Sequence, residues 1–345
     1  MIKSNREFAT GGEVVVQACL DAGAKMMYGY PITPSSEVLE NWEKKGGKTL
    51  QTEDEIAAGF AVAGAALAGE KVFSATSGPG HILMQDALVM AEAMRIPMVL
   101  LVAQRGGPSS GTVIYSQQEV TLACFGGNGE GHRVVYSPAN LEELYTLTRQ
   151  AFNDAWQYRF PAIILTDGYA LKTKSVFSKP VRDIKNVLAK SRFVDQKPVH
   201  LPNIYTTEEE LNQKLETTQK EYLKMSAKVA ASKEVKTKDA EILIIAHGTV
   251  GSSAEAAIDI LRQEKKKVGL FRPVTLRPFP SKELNKLLVG KKWKQIVVIE
   301  SSFGQLANLV HNNVTVKNLP GFTYLQKPAL GIEPEDIVKY ILILK

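Results

Sequence analysis

An apolar run of strand length has two faces to bury, and this chain has several: Val72–Ala75, Met98–Ala103, Val134–Tyr136 and Ala162–Thr166. Between and before them lie stretches spaced as helices: Val14–Leu20, Ser35–Glu43, the Ala-rich Glu55–Ala68, His81 to Met94 and Asn140–Trp156. Lys25–Tyr28 reads as a further short strand. Strands that are hydrophobic on both faces and separated by helices predict a parallel sheet covered on both sides.

From Lys172 to Asp239 the pattern changes. Strand signal fades, and Glu208–Val229 places Leu211, Leu215, Tyr222, Met225 and Val229 along one helical stripe among Glu, Lys, Gln and Thr. That is a charged helical connector with one face to pack. A second, smaller α/β unit follows. Its strands are Glu241–Ala246, Val268–Leu270 and Gln295–Ile299, its helices Ser252–Arg262 and Ser281–Leu288, and one more helix begins near Gly304. The division expected is residues 1–171, 172–239 and 240–345.

At 345 residues the chain has length for two domains. With 44% hydrophobic and 23% charged residues, it is neither fibrous nor wholly disordered. No apolar stretch opens it as a secretory signal would, and none is long enough to span a bilayer. It has two cysteines, Cys19 and Cys124, too few for a four-iron cluster or a disulfide framework, so a reduced, cytoplasmic setting is expected. The basic excess lies in the last third, where 15 Lys and Arg face 9 Asp and Glu from residue 240 onward. Its blocks, Lys265–Lys267 and Lys291, Lys292, Lys294, read as a solvated face or a dock for an acidic partner. Apart from Trp293, between Lys292 and Lys294, no aromatic residue interleaves with them, which disfavours nucleic acid.

Four loops carry residues suited to chemistry, each at a strand-to-helix junction where open α/β sheets bind ligands. The first is Tyr30-Pro31-Ile32-Thr33-Pro34-Ser35-Ser36, in which two prolines bracket Thr33 and a serine can cap the following helix. The second is Glu53-Asp54-Glu55. Acids suit a helix start, but Glu55 opens an almost wholly apolar helix, where burial raises a carboxyl's proton affinity. The third is Thr76-Ser77-Gly78-Pro79-Gly80, whose glycines let backbone approach a ligand. The fourth is Arg105-Gly106-Gly107-Pro108, an Arg at a buried strand's end that can fork onto a carboxylate. The five histidines show no metal-ligand spacing, and no metal site is expected on this chain. Gly248-Thr249-Val250-Gly251-Ser252 is half of a dinucleotide fingerprint, without the acid that would hold a ribose.

Taken in order, these loops resemble those of the α subunits of 2-oxoacid:ferredoxin oxidoreductases of the 2-oxoglutarate and branched-chain type. Gly29–Ser36, Glu53–Ala58, Thr76–Gly80 and Arg105–Pro108 match, and Arg272–Pro280 adds a fifth segment typical of that family. The resemblance implies a thiamine diphosphate enzyme that decarboxylates a 2-oxoacid oxidatively to acyl-CoA and CO2, passing electrons to ferredoxin. The first unit would be its pyrimidine-binding domain and the last a transketolase C-terminal-like domain. By the same resemblance Glu55 would bond N1′ of the aminopyrimidine and favour the tautomer that activates the thiazolium. Glu53 is the alternative, two residues away. Thr33 and Arg105 would hold the substrate, and Pro31, Ser77 and Gly78 would line the cofactor.

The family's Gly-Asp-Gly…Asn motif for magnesium and diphosphate has no full match. Thr166-Asp167-Gly168-Tyr169 is nearest and lacks the first glycine. The resemblance therefore implies a β subunit that brings the magnesium–diphosphate site and a [4Fe-4S] cluster, coenzyme A and ferredoxin as further partners, and an αβ dimer of dimers. The run Thr112–Gln118 departs from the 2-oxoglutarate type, which carries Pro and Lys there, so 2-oxoglutarate, a branched-chain oxoacid and pyruvate all stay open. Two other readings remain: a non-catalytic α/β binding or regulatory protein that kept the loops, and a self-sufficient decarboxylase or ligase.

Overall fold

The computed structural model describes residues 6–180, 184–191, 200–290 and 292–344. In chain order its strands are β1 (Arg6–Thr10), β2 (Met26–Gly29), β3 (Lys48–Gln51), β4 (Val72–Thr76), β5 (Val99–Gln104), β6 (Val134–Tyr136) and β7 (Ala162–Asp167). They continue as β8 (Lys174–Ser178), β9 (Ser232–Val235), β10 (Ile242–Ile245), β11 (Val268–Pro273), β12 (Thr275–Arg277), β13 (Gln295–Glu300) and β14 (Phe322–Gln326).

The larger sheet has seven strands in the order β12-β6-β7-β5-β4-β2-β3, parallel except for β12. At its centre β4, β5 and β7 are buried at every position, in keeping with their largely apolar sequence. The smaller sheet runs β14-β13-β10-β11-β9, parallel except for β9. Helices cover the larger sheet for local reasons that the sequence states. Thr10 and Glu13 form a reciprocal capping box at Gly11–Ala22, and Asn140 caps Leu141–Tyr158. The helix expected from His81 starts earlier, at Pro79, whose missing N–H suits a first helical position, and Met84 divides it into Pro79–Leu83 and Gln85–Met94.

The stretch 172–239 contributes more strand than its sequence suggested. β8 pairs antiparallel with β1, and β9 adds an edge to the smaller sheet. The connector helix spans Glu208–Val229 as expected, but only its C-terminal half packs: Tyr222, Met225 and Val229 are buried, while Leu211 and Leu215 stay exposed. Tyr222 accounts for part of that difference, since its hydroxyl donates to the Arg133 carbonyl at 2.9 Å and anchors that end.

The two sheets are tied together by polar groups. β12 leaves the second unit to pair with β6. Arg272, fully buried, donates to Glu143 at 2.9 Å and to Glu255 at 3.2 Å. Of the basic blocks, Lys267 and Lys294 both pair with Glu241, so part of that charge is locally compensated; Lys291 lies outside the described residues. No helix among the described residues is long and apolar enough to cross a membrane.

Candidate active site at the strand ends

The four loops converge at the C-terminal end of the larger sheet. Glu55 is the first residue of the helix Glu55–Leu67, and Asp54 caps that helix by accepting from the Ala57 amide at 2.7 Å. Its position on the inner side leaves Glu55 only 4% exposed, whereas Glu53 is exposed. Apart from its own amide, the carboxyl has no hydrogen-bond donor among the described residues. Burial pushes its pKa up, the Asp54 charge adds to that, and the Arg105 charge opposes it.

Backbone of the third loop lies directly against this carboxyl. A Cβ on Gly80 would stand 2.3 Å from both Glu55 Oε1 and Thr76 Oγ1, so only glycine fits between them. Gly78 takes φ +49, and a Cβ there would meet Arg105 Nε at 2.8 Å. Arg105, 6% exposed, donates from Nη1 to the Thr33 carbonyl at 2.7 Å. Glu55, Thr33, Arg105, Ser77 and Gly78 thus belong to one neighbourhood. Pro31 sits on its exposed rim, and the Thr33–Pro34 and Gly107–Pro108 peptides are cis. Ser35 does not cap the following helix: its hydroxyl donates back to Ile32 O at 2.8 Å and tightens the turn.

Sequence reasoning missed the residue that ties these loops together. Glu119 Oε1 accepts the amides of Gly78 at 3.0 Å and of Arg105 at 2.9 Å, and Oε2 accepts from His81 Nδ1 at 2.8 Å. The only signal was an acid ending a polar run just before the apolar Val120–Phe125. His81 is a buried hydrogen-bonding residue.

Asp167 serves as a cap and as a tie to the second unit. Its Oδ1 accepts from the Ala170 amide at 2.9 Å as a helix cap, and its Oδ2 accepts from Thr249 at 2.7 Å. The Gly248–Ser252 turn is likewise spent on packing. Thr249 reaches Asp167, and a Cβ on Gly251 would strike Arg272 at 2.5 Å. Burial pushes Asp167 up to about 6. A carboxyl whose folded-state pKa lies above its unfolded value gives stability that is complete below the unfolded value and lost as pH rises through the folded one. We expect Asp167→Asn, which can keep both hydrogen bonds, to remove that loss between about pH 4 and pH 6, a difference of about 3 kcal/mol. Urea midpoints of the two proteins across that range check it; parallel pH profiles would reject it.

The site fits one half of thiamine diphosphate. Thr76 Oγ1, Ser77 Oγ and Arg105 Nε are buried with no hydrogen-bond partner among the described residues, beside a carboxyl of raised pKa and a glycine cradle. Such groups suit a flat heteroaromatic ring with its own donors and acceptors. Among the described residues no group of three or more His, Cys, Asp or Glu could hold a metal ion. Cys19 and Cys124 are buried free thiols, and burial pushes Cys124 up to about 12.

Comparison with known proteins identifies the family. A family model described as pyruvate flavodoxin/ferredoxin oxidoreductase, thiamine diphosphate-binding, matches residues 17–243. The chain belongs to the 2-oxoacid:ferredoxin oxidoreductases, as an alpha-type enzyme subunit. A second model, pyruvate:ferredoxin oxidoreductase core domain II, matches residues 240–329. The ketoisovalerate oxidoreductase subunit VorB of Methanothermobacter marburgensis is 32% identical over 309 residues, 87% of each chain. The 2-oxoglutarate synthase subunit KorA of Archaeoglobus fulgidus is 31% identical over 345 residues, 97% of this chain and 98% of that one.

Among solved structures, the 2-oxoglutarate:ferredoxin oxidoreductase of Magnetococcus marinus, with 2-oxoglutarate, coenzyme A and succinyl-CoA bound, aligns at TM-score 0.86 and 25% identity. That alignment covers 99% of this chain and 66% of that one. A split-gene transketolase, 13% identical at TM-score 0.57, shares the fold. The pyrimidine-binding and transketolase-like architecture read from the sequence is therefore the fold of this family.

Proposed function

We propose that this subunit contributes the proton-handling and substrate-holding half of a shared active site. A partner subunit supplies the magnesium–diphosphate site and the [4Fe-4S] cluster. The observation that carries this reading is the buried Glu55 carboxyl, beside a buried Arg and polar groups that have no partner among the described residues, where no metal-ligand group among those residues accompanies them. Side chains around the site favour a missing chain. Leu50, Ile56, Phe60, Ile82 and Val113 are exposed near the same strand ends, and exposed apolar groups at such density mark protein contacts. A β subunit seated there would close the site, with ferredoxin and coenzyme A as co-substrates and an αβ dimer of dimers as the assembly. Its setting is the reducing cytoplasm, in keeping with two free thiols.

Thiamine diphosphate, when bound, supplies the carbon nucleophile for a 2-oxo group. The chain's own residues do the rest of what is assigned to it. Glu55 holds a proton at the aminopyrimidine N1′, and burial raises its proton affinity, which suits a group that gives and takes that proton. Ser77 and Gly78 line the ring, and Pro31 shapes the rim. Arg105 spends one N–H on the Thr33 carbonyl, which aims the guanidinium and leaves further N–H groups for a substrate carboxylate. Thr33 lies beside it for the oxo group.

Arg105→Lys tests the substrate half. Lys has no planar fork and cannot hold both Thr33 O and a bidentate carboxylate. A charge-assisted contact is worth about 1.5–3 kcal/mol, so we expect the KM for the oxoacid to rise about tenfold or more, with cofactor binding little changed. Steady-state kinetics on 2-oxoglutarate, 2-oxoisovalerate and pyruvate check this and rank the substrates. An unchanged KM for all three would make Arg105 an ordinary loop residue.

A further inference from the structure

The segment from Tyr115 to Thr121 is polar in sequence, yet Ser116 and Gln117 are wholly buried. The second unit holds its outer side. Gln117 donates its amide to Ser301 O at 3.0 Å, accepts the Ser301 amide at 3.0 Å and donates Nε2–H to His247 O at 3.0 Å. Gln305 accepts the Thr121 amide at 2.8 Å and donates to Gln118 O at 2.7 Å. On its inner side the segment carries Glu119, which meets the site loops.

We propose that Glu119 is a positioning residue: it sets Arg105 and the Ser77–Gly78 loop in register with the second unit, and so governs how tightly the substrate is held. This rests on the reading of Arg105 as the substrate's carboxylate anchor. One oxygen, Oε1, serves both the Gly78 and the Arg105 amides, so the gap between the loops is fixed by two hydrogen-bond lengths. There is no slack, because a Cβ on Gly78 would already touch Arg105 Nε. His81 on Oε2 prevents the carboxylate from swinging away. Any shift of the Arg105 backbone passes to a guanidinium that must still reach Thr33 O. A displacement of about 1 Å at such a group is enough to cost about a hundredfold in rate or binding.

An amide at this position would keep an oxygen for both N–H groups. Its NH2 could meet His81 Nδ1 once the ring carries its proton on Nε2. An alanine would release all three donors. In the assembled complex, Glu119→Ala is therefore expected to raise the oxoacid KM about tenfold with kcat changed by less than about threefold. Glu119→Gln should recover most of that loss. Combined with Arg105→Lys, Glu119→Ala should add little, since both act on one group. Hydrogen exchange of peptides covering residues 76–82 and 103–107 should speed up in Glu119→Ala and not in Glu119→Gln.

Exchange is measured whether or not the enzyme turns over, so failure of this inference is separable from failure of the functional reading, which the wild-type complex's own turnover reports. Unchanged exchange in Glu119→Ala, a lowered melting temperature with unchanged KM, or KM effects that multiply with those of Arg105→Lys would overturn the proposal. Should the alanine variant fail to assemble, Glu119→Asp keeps the charge and withdraws both oxygens by one methylene. It is expected to show the same KM rise in smaller measure, and an unchanged KM there would equally overturn it.

Discussion

With the partner subunit and thiamine diphosphate in place, Glu55→Gln is expected to stop turnover while leaving the assembly intact. An amide cannot give and take the proton at N1′, and losing a general acid–base contact costs about 10²–10⁴-fold. Folding should not suffer. Burial raises the Glu55 pKa, so at neutral pH the native state carries an ionisation penalty that a neutral amide of the same shape does not. Stability equal to or slightly above wild type, with activity gone, is the expected pair of results. NMR measurement of C2-proton exchange on the bound cofactor isolates the step from decarboxylation and electron transfer. Near-normal exchange in this variant, with a collapse in Glu53→Gln, would move the role two residues back. Glu53 starts at a disadvantage because it is exposed, outside the buried neighbourhood of Gly80, Thr76 and Arg105.

Burial is what made the larger sheet readable from the sequence. Met98–Ala103 is uniformly apolar because β5 lies at the centre with helices on both faces, and the structure shifts it by one residue only. Strands that bury one face or none left no such trace. β1 and β8 pair with each other at the surface, largely exposed, and their residues look like loop. β12 is three residues long and is recruited by the edge of the other unit's sheet, a long-range choice that local pattern does not encode. The connector helix was legible in extent and misjudged in packing, since Leu211 and Leu215 continue the stripe but border an open cavity beside Val89 and Met90 and stay exposed.

The site shows the same division. Glu55, Arg105 and the glycines of Thr76–Gly80 sit at strand ends, so a reading of strand positions finds them. Glu119 acts on backbone N–H groups 41 and 14 residues away, and backbone donors have no letter in a sequence. Asp167 looked like a damaged metal motif. The structure shows a helix cap and a bond to the second unit, so each carboxylate oxygen already has a structural partner.

That arrangement leads to the second large effect. Expressed alone, the chain is expected to bind thiamine diphosphate weakly, without dependence on magnesium, and to oxidise no 2-oxoacid. Adding a β subunit that carries Gly-Asp-Gly and four cysteines should bring turnover from nothing to a measurable rate. The diphosphate and its magnesium hold most of the cofactor's charge, and among the described residues this chain offers no group of acids for the metal. Each charge-assisted contact is worth about 1.5–3 kcal/mol, so the absence of two weakens binding by about a hundredfold or more. What the chain does offer is the ring side of the contact: the Glu55 carboxyl, the Gly80 cradle and the hydroxyls of Thr76 and Ser77, which have no partner among the described residues. Calorimetry of the isolated chain with thiamine diphosphate, with and without magnesium, separates the two halves. Tight, magnesium-dependent binding to the chain alone would mean that it holds its own diphosphate site, and the division of the active site between two subunits would fall.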